Sequence, residues 1–124
     1  MKISIPVSVG ELLDKITILE IKSLFTDDEY VQKELHELNI IKSTLNQYTL
    51  EYEVKLKKVN EKLWKIEDKL RELEEEQKFD EEFIELARSV YITNDQRASI
   101  KKEINKKYKS QYQEVKYYMK GKSI

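Results

Sequence analysis

The sequence predicts an all-α protein: an antiparallel helical bundle built on one long helical hairpin, preceded by a short extended arm. The 124 residues include only two glycines and one proline, so few positions force the chain to break. Charged residues make up 38% and hydrophobic residues 40%, a composition typical of surface-rich helical proteins. Apolar residues recur at three- and four-residue steps over most of the chain, the spacing of one helix face.

The first seven residues are predicted to form an extended arm. Ile3, Ile5 and Val7 alternate with other residues, and Pro6 excludes a helix and suits an edge strand. We expect this arm to pack across the bundle or to pair with its twin in a homodimer.

A first helix is predicted over residues 8–25. Ser8 and Glu11 have the spacing of a capping box, which satisfies free amides at a helix start. The helix is apolar on two sides, so it is expected to be central, or to face both its own bundle and a homodimer partner. One side carries Val9, Leu12, Leu13, Ile16 and Leu19, and the other carries Ile18, Ile21 and Phe25.

The remaining helices are predicted over residues 28–46, 49–77 and 80–119. Weak helix formers over residues 46–53 indicate a bend or a short loop, and the pattern leaves these two possibilities open. The third helix has a coiled-coil-like seam, and Asp80 is a suitable N-cap for the fourth. The seam consists of Tyr52, Leu56, Val59, Leu63, Ile66, Leu70 and Leu73.

Polar residues interrupt the apolar face of the fourth helix. This face begins with Phe83, Leu86 and Val90 and then presents Asn94, Arg97, Lys101 and Asn105. In an antiparallel hairpin that turns near residue 79, Trp64 lies opposite Asn94. A polar stripe of the third helix therefore meets the polar residues of the fourth; it contains Asn60, Trp64, Glu67 and Arg71.

Such groups are costly to bury unpaired, so they must bond to one another, to water or to a ligand. Three interpretations remain open: a salt-bridge network that fixes helix register, a ligand pocket, and a protein-binding groove. In the pocket interpretation Trp64 stacks on a small anionic or sugar-like ligand that Arg97 and Lys101 clamp, with Glu20 and Glu67 as counter-charges. The proposed ligand-binding residues are Glu20, Asn60, Trp64, Glu67, Asn94, Arg97 and Lys101.

Composition argues against several other functions. The chain has no cysteine, so it has neither disulfides nor a thiolate nucleophile, and its one histidine, His36, falls on a polar face. A net charge of −1 gives no reason to expect nucleic acid as a partner. The sequence shows no secretory signal and no apolar run of the ~20 residues that span a membrane, so we expect a cytoplasmic protein. Enzymatic activity is not favoured, catalytic residues are unknown, and no cofactor is expected.

Charge is unevenly placed along the chain. Residues 67–85 hold ten acids and three bases, and residues 101–122 hold eight lysines and two glutamates. These runs are either solvated helix faces or, for the basic run, a tail that meets an anionic partner or a lipid headgroup.

Three segments in order resemble a family of small bacterial proteins of unknown function: IPVSVGELLDKITILEIK, VNEKLWKIED and FIELARSVYITNDQRASIKKEIN. The resemblance is poor over residues 26–55 and in the lysine-rich tail. It implies a role around surface-polysaccharide and glycosyl-transfer machinery, and no catalytic residues are established for the family. We therefore expect a non-enzymatic accessory or interaction protein, with a bundle that binds or acts on a small anionic or nucleotide-sugar-like ligand as the alternative. The residues that belong to the family's pattern are Gly10, Glu11, Asp14, Lys15, Asn60, Trp64, Glu67, Asp68, Arg88, Asn94, Asp95 and Arg97.

The stretch GELLDKI also resembles a helix of the all-α nucleotide pyrophosphatases, which bind Mg²⁺ through paired acidic motifs. The alternative metal ligands that this implies are Glu11, Asp14 and Glu67. The double glutamate expected upstream is missing, so the main prediction is that the chain holds no metal.

Overall fold

The structure, a computed structural model, describes residues 1–119. It confirms the all-α class, with four helices in this range: α1 (Val9–Ser23), α2 (Glu29–Ser43), α3 (Leu50–Glu75) and α4 (Glu81–Lys107). Helices α3 and α4 form the predicted antiparallel hairpin. Helix α1 packs against all three others, whereas α2, within the described residues, packs mainly against α1 and reaches α3 through the Lys42–Glu53 ion pair at 2.9 Å.

Helix α1 is the central helix of the bundle. Leu13 packs with Tyr52, Leu56 and Ile104 in the buried core, and Ile16 on the same helix is fully buried. On the other apolar side of α1, Ile21 is 2% exposed, whereas Phe25, just beyond the end of the helix, is 68% exposed. The homodimer itself stays a prediction.

The α3–α4 hairpin is longer than α1. Thr17 of α1 lies beside Asn60 of α3, and α1 ends six residues later, at Ser23. Because parallel helices advance at the same ~1.5 Å per residue, α1 ends level with about residue 66 of α3. Residues 67–90, which we name the hairpin arm, continue beyond it. Leu73 is buried between the two helices of the arm.

The two inter-helix connections follow from local backbone chemistry. At the end of α3, Gln77 has a φ of 57°, and the amide of Lys78 donates to the Leu73 carbonyl, which closes the helix. Asp80 then caps α4, as the sequence predicts. Between α2 and α3 the chain forms a short loop in which Asn46 has a φ of 50°, so the loop is the correct alternative over this stretch.

The predicted extent of the fourth helix, to residue 119, is wrong. The helix ends at Lys107, Lys109 adopts a φ of 52°, and the Ser110 amide donates to the Asn105 carbonyl at 2.8 Å. The chain then continues without helix through residues 110–119, here named the C-terminal segment. Its apolar residues have no core to join: Val115 is 72% exposed and Met119 is 99% exposed. The end of the lysine-rich tail lies outside the described residues.

The N-terminal arm, residues 1–7, belongs to neither a helix nor a strand. Lys2 donates to Glu37 of α2 at 2.8 Å, while Ile3 and Ile5 remain exposed. Among residues 1–119, no helix is both long enough and apolar enough to cross a membrane.

Candidate functional site

The polar residues of α4 face the start of α1, where helix amides need acceptors. The first amides of a helix have no partner within the helix. Here the Val9 amide donates to Ser110 Oγ at 3.1 Å, the Gly10 amide to Asn105 Oδ1 at 2.7 Å, and the Glu11 amide to Ser8 Oγ at 3.0 Å. Ser8, the predicted cap, is thus one of three side chains that accept hydrogen bonds from the first amides of α1. Asn105 is buried because it caps another helix.

Gly10 allows α1 and α4 to approach this closely. A Cβ atom on Gly10 would lie 2.8 Å from the Lys101 carbonyl oxygen and 3.0 Å from Asn105 Oδ1. Contacts under 3.0 Å are essentially never made by real Cβ atoms. The glycine is therefore required by packing between two backbones.

Asp14 lies at the centre of the polar network, and its side chain is only 1% exposed. Arg97 donates to both carboxylate oxygens, with Nη2 2.6 Å from Oδ2 and Nε 3.0 Å from Oδ1. Asn60 donates to Oδ1 at 2.8 Å and to Thr17 Oγ1 at 2.9 Å. One carboxylate therefore links α1 to both helices of the hairpin.

Lys101 extends the network toward solvent. Its ammonium lies 2.7 Å from Glu11, 2.7 Å from Glu114 and 3.7 Å from Asp14, and its side chain is 8% exposed. Burial is the largest single effect on Lys101 and by itself lowers its pKa, but the hydrogen bonds to Glu11 and Glu114 and the negative charge of Asp14 together leave the pKa raised. The hydrogen bond from Lys101 in turn lowers the pKa of Glu114.

The expected counter-charges are wrong. Glu20 pairs with Lys57 of α3 at 3.6 Å, and Glu67 is exposed on the hairpin arm. Arg97 and Lys101 are instead paired with Asp14, Glu11 and Glu114. The reason is geometric: the first half of α1 lies beside the polar residues of α4 and brings Glu11 and Asp14 to them, whereas Glu20 lies farther along α1, beside Lys57 of α3.

Two of the clefts that border this network are considered as binding sites. The larger, here named the Trp64 cleft, has a volume of about 510 Å³ and lies between α1, α3 and α4. Its apolar lining is Ile18, Ile21, Leu63 and Trp64, and its polar lining is Asn60, Glu67, Asp68, Arg71, Asn94 and Arg97. The smaller, here named the Lys101 cavity, has a volume of about 170 Å³ and is lined by Glu11, Asn94, Arg97, Ala98, Lys101, Glu114 and Lys116.

Most of the proposed ligand-binding residues are close to one another. The Trp64 cleft brings together Asn60, Trp64, Glu67, Asn94 and Arg97. Lys101 lines the smaller cavity instead, and Glu20 lines neither of the two clefts. The indole of Trp64 also stacks on the ring of Phe25 with centroids 5.5 Å apart. A ligand-binding role for these residues stays a prediction.

The alternative metal ligands do not form one ligand set. Glu11 and Asp14 are both bonded to Lys101 or Arg97, whereas Glu67 lines the Trp64 cleft. Within residues 1–119, no group of three or more His, Asp or Glu side chains is arranged to hold a metal ion.

Three residues central to the network were not among the proposed ligand-binding residues. Gly10 entered through the family pattern, Asp14 through the family pattern and as an alternative metal ligand, and Glu114 was expected on the fourth helix. A charged residue on a helix that is otherwise apolar on two sides, as Asp14 is, signals a buried partner. No local signal identifies Glu114, because its contact depends on where α4 ends.

Fold and network together define a small all-α protein held by buried ion pairs between its first and last helices. The model of DUF6165, a family of unknown function, matches residues 1–123, and the chain belongs to this family. No curated protein and no solved structure matches the chain.

Proposed function

We propose that the protein is a non-enzymatic interaction protein whose hairpin arm binds a basic, amphipathic segment of a protein partner. The observation that carries this proposal is the charge of the arm. All ten acids of residues 67–85 are exposed, against three bases, so this stretch carries 3 − 10 = −7 charges. Lys69 and Lys78 lie within 4.0 Å of acids in the same stretch. A field of one sign steers a partner of the opposite charge.

Apolar residues among these acids give a partner more than charge to bind. Phe79 at the tip is 51% exposed, and Ile84 on α4 is 55% exposed. Tyr91, the residue directly after the arm, follows Ile84 by two helical turns, so both lie on the same face of α4, and Tyr91 is also 55% exposed. Exposed apolar residues surrounded by acids are complementary to a segment that carries lysine or arginine beside apolar residues.

The internal network supports a binding role over catalysis. The buried charges that would be candidates for chemistry, Asp14, Arg97 and Lys101, are bonded to one another or to neighbouring acids. Fixed ion pairs of this kind hold helices in register. The accessory role in surface-polysaccharide or glycosyl-transfer machinery, which the family resemblance implies, stays a prediction.

The role of the hairpin arm in partner binding is tested by changing Glu75, Glu76 and Glu81 together to glutamine. We expect the amount of partner retained from a lysate to fall about tenfold, since three rim charges at ~0.5 kcal/mol each contribute about 1.5 kcal/mol. Retention by the wild-type chain is also expected to fall with added salt. The affinity for the purified partner is then measured directly for each variant.

The matched control removes three exposed acids from α2 by changing Glu29, Glu34 and Glu37 to glutamine. This variant has the same net charge as the arm variant and should retain the partner like wild type. Equal retention by all three proteins, or equal loss in both variants, would show that the arm is not the binding surface.

A second candidate function is the binding of a small polar ligand in the Trp64 cleft. An indole wall beside two asparagines and paired charges is suited to a sugar-like group, and the volume of about 510 Å³ is in the usual range for small-molecule sites. Trp64 is the only tryptophan, so its fluorescence reports on this cleft. We expect a saturable emission change with nucleotide sugars that Asn94→Ala abolishes. If no nucleotide sugar changes the Trp64 emission, this candidate function is rejected.

A further inference from the structure

The Lys101 cavity is closed on one side by the C-terminal segment. Glu114 and Lys116 of this segment line the cavity, together with Glu11 of α1 and Arg97 and Lys101 of α4. Its volume of about 170 Å³ is below the ~300 Å³ of the smallest typical ligand pockets. The cavity therefore fits one small acidic group and not a whole nucleotide.

The charges around the cavity balance only when Glu114 is counted. The acids are Glu11, Asp14 and Glu114, and the bases are Arg97, Lys101 and Lys116. Asp14 is committed to Arg97 and Asn60 by hydrogen bonds. The Lys101 side chain is only 8% exposed, and Glu114 provides one of its two acid contacts at 2.7 Å, so an anion at the position of Glu114 is favoured over bulk water.

Glu114 is the acid of this set that a ligand can most readily replace. It is carried outside the helices, on a segment whose Tyr112 and Val115 are exposed, whereas Glu11 and Asp14 are fixed on α1. The Glu114 side chain is 44% exposed, so an external group can approach from solvent. The lowered pKa of Glu114 is consistent with a position that favours a negative charge.

We propose that the position of the Glu114 carboxylate is a binding site for a small carboxylate or phosphate group, which Glu114 occupies in the absence of ligand. The incoming group accepts the hydrogen bond from Lys101 Nζ that Glu114 accepts at 2.7 Å. Asn94 and Arg97, which also line the cavity, are further donors. The C-terminal segment is then a competitor built into the chain. This site is independent of the hairpin arm and goes beyond the proposed function.

The test compares Glu114→Gln with the wild-type full-length chain in calorimetric titrations with inorganic phosphate and with acetate. Removing a competing charge raises the fraction of the site that is free, so we expect the variant to bind at least one of the two probes about tenfold more tightly. Tighter binding of phosphate alone assigns the site to phosphate groups, and tighter binding of acetate assigns it to carboxylates. No gain for either probe overturns the proposal.

Three further substitutions distinguish binding at this site from a general effect of net charge and from loss of folding. Asp27→Asn removes one acid on the loop after α1 and should leave the affinity unchanged; an equal gain there would mean a general charge effect and would overturn the proposal. In the Glu114→Gln background, Asn94→Ala should weaken binding several-fold, and Lys101→Met should abolish it. Thermal unfolding checks that each variant is folded. If Lys101→Met is unfolded, the Asn94 variant decides, and unchanged affinity there rejects the site.

Discussion

Replacing Asp14 by alanine is expected to cost about 3–5 kcal/mol of unfolding free energy, a large part of the 5–15 kcal/mol typical of a domain. The change leaves Arg97 without the carboxylate that it contacts at 2.6 Å and removes the 3.7 Å contact of Lys101. It also leaves the Asn60 amide without its acceptor on Asp14. Urea unfolding, with the slope compared between the two proteins, measures the loss.

The control for Asp14→Ala is Glu20→Ala on the same helix. Glu20 pairs with Lys57 at 3.6 Å, and both side chains are more than a third exposed, so we expect a loss below about 1 kcal/mol. If the two variants were equally stable, Asp14 would not be the centre of a stabilising network, and the interpretation of the α1–hairpin contact would be wrong.

Gly10→Ala is the second large effect, with an expected loss of about 2–4 kcal/mol. Overpacking typically costs 1–3 kcal/mol, and displacing α4 would also weaken the 2.7 Å hydrogen bond from the Gly10 amide to Asn105. The sign of the effect is informative, because glycine to alanine inside an unhindered helix stabilises by about 1 kcal/mol. Thermal and urea unfolding of the two proteins provide the measurement.

A double variant locates the cause of this loss. Asn105→Ala removes the oxygen that the new Cβ would approach at 3.0 Å but leaves the Lys101 carbonyl at 2.8 Å. In the Asn105→Ala background, Gly10→Ala should therefore still destabilise, though less than in the wild-type chain. A stabilising Gly10→Ala in either background would contradict the close approach of the two backbones.

The fold was predictable because its signals are local. The helix start at Ser8, the turn before Asp80 and the helical spacing of apolar residues each depend on neighbours within a few residues. The end of α4 carries no such signal: Lys109 adopts a left-handed conformation without a glycine, and no proline follows within residues 110–119. Periodicity alone therefore extended the helix too far.

The polar residues that α4 contributes to the candidate site were predictable, but the residues that pair with them were not. Helical spacing correctly gave Asn94, Arg97 and Lys101 a common side. Their partners depend on where α1 docks on the hairpin, which is a property of the whole packed core and leaves no pattern in α4 itself. If the antiparallel hairpin is considered alone, Glu67 is the acid expected to pair with Arg97. In the folded chain, Asp14 of α1 is the acid that pairs with it.

The packing of α1 against α4 also has a consequence for folding during synthesis. The Gly10 amide and its acceptor, Asn105, are separated by 95 residues. At a synthesis rate of ~5–20 residues per second, about 5–20 seconds pass between the two residues. During that interval the carboxylate of Asp14 has no Arg97, and one apolar side of α1 has only α2 and the growing α3 to cover it. Helix α1 therefore leaves the ribosome well before α4 but reaches its final surroundings only after α4 has been made.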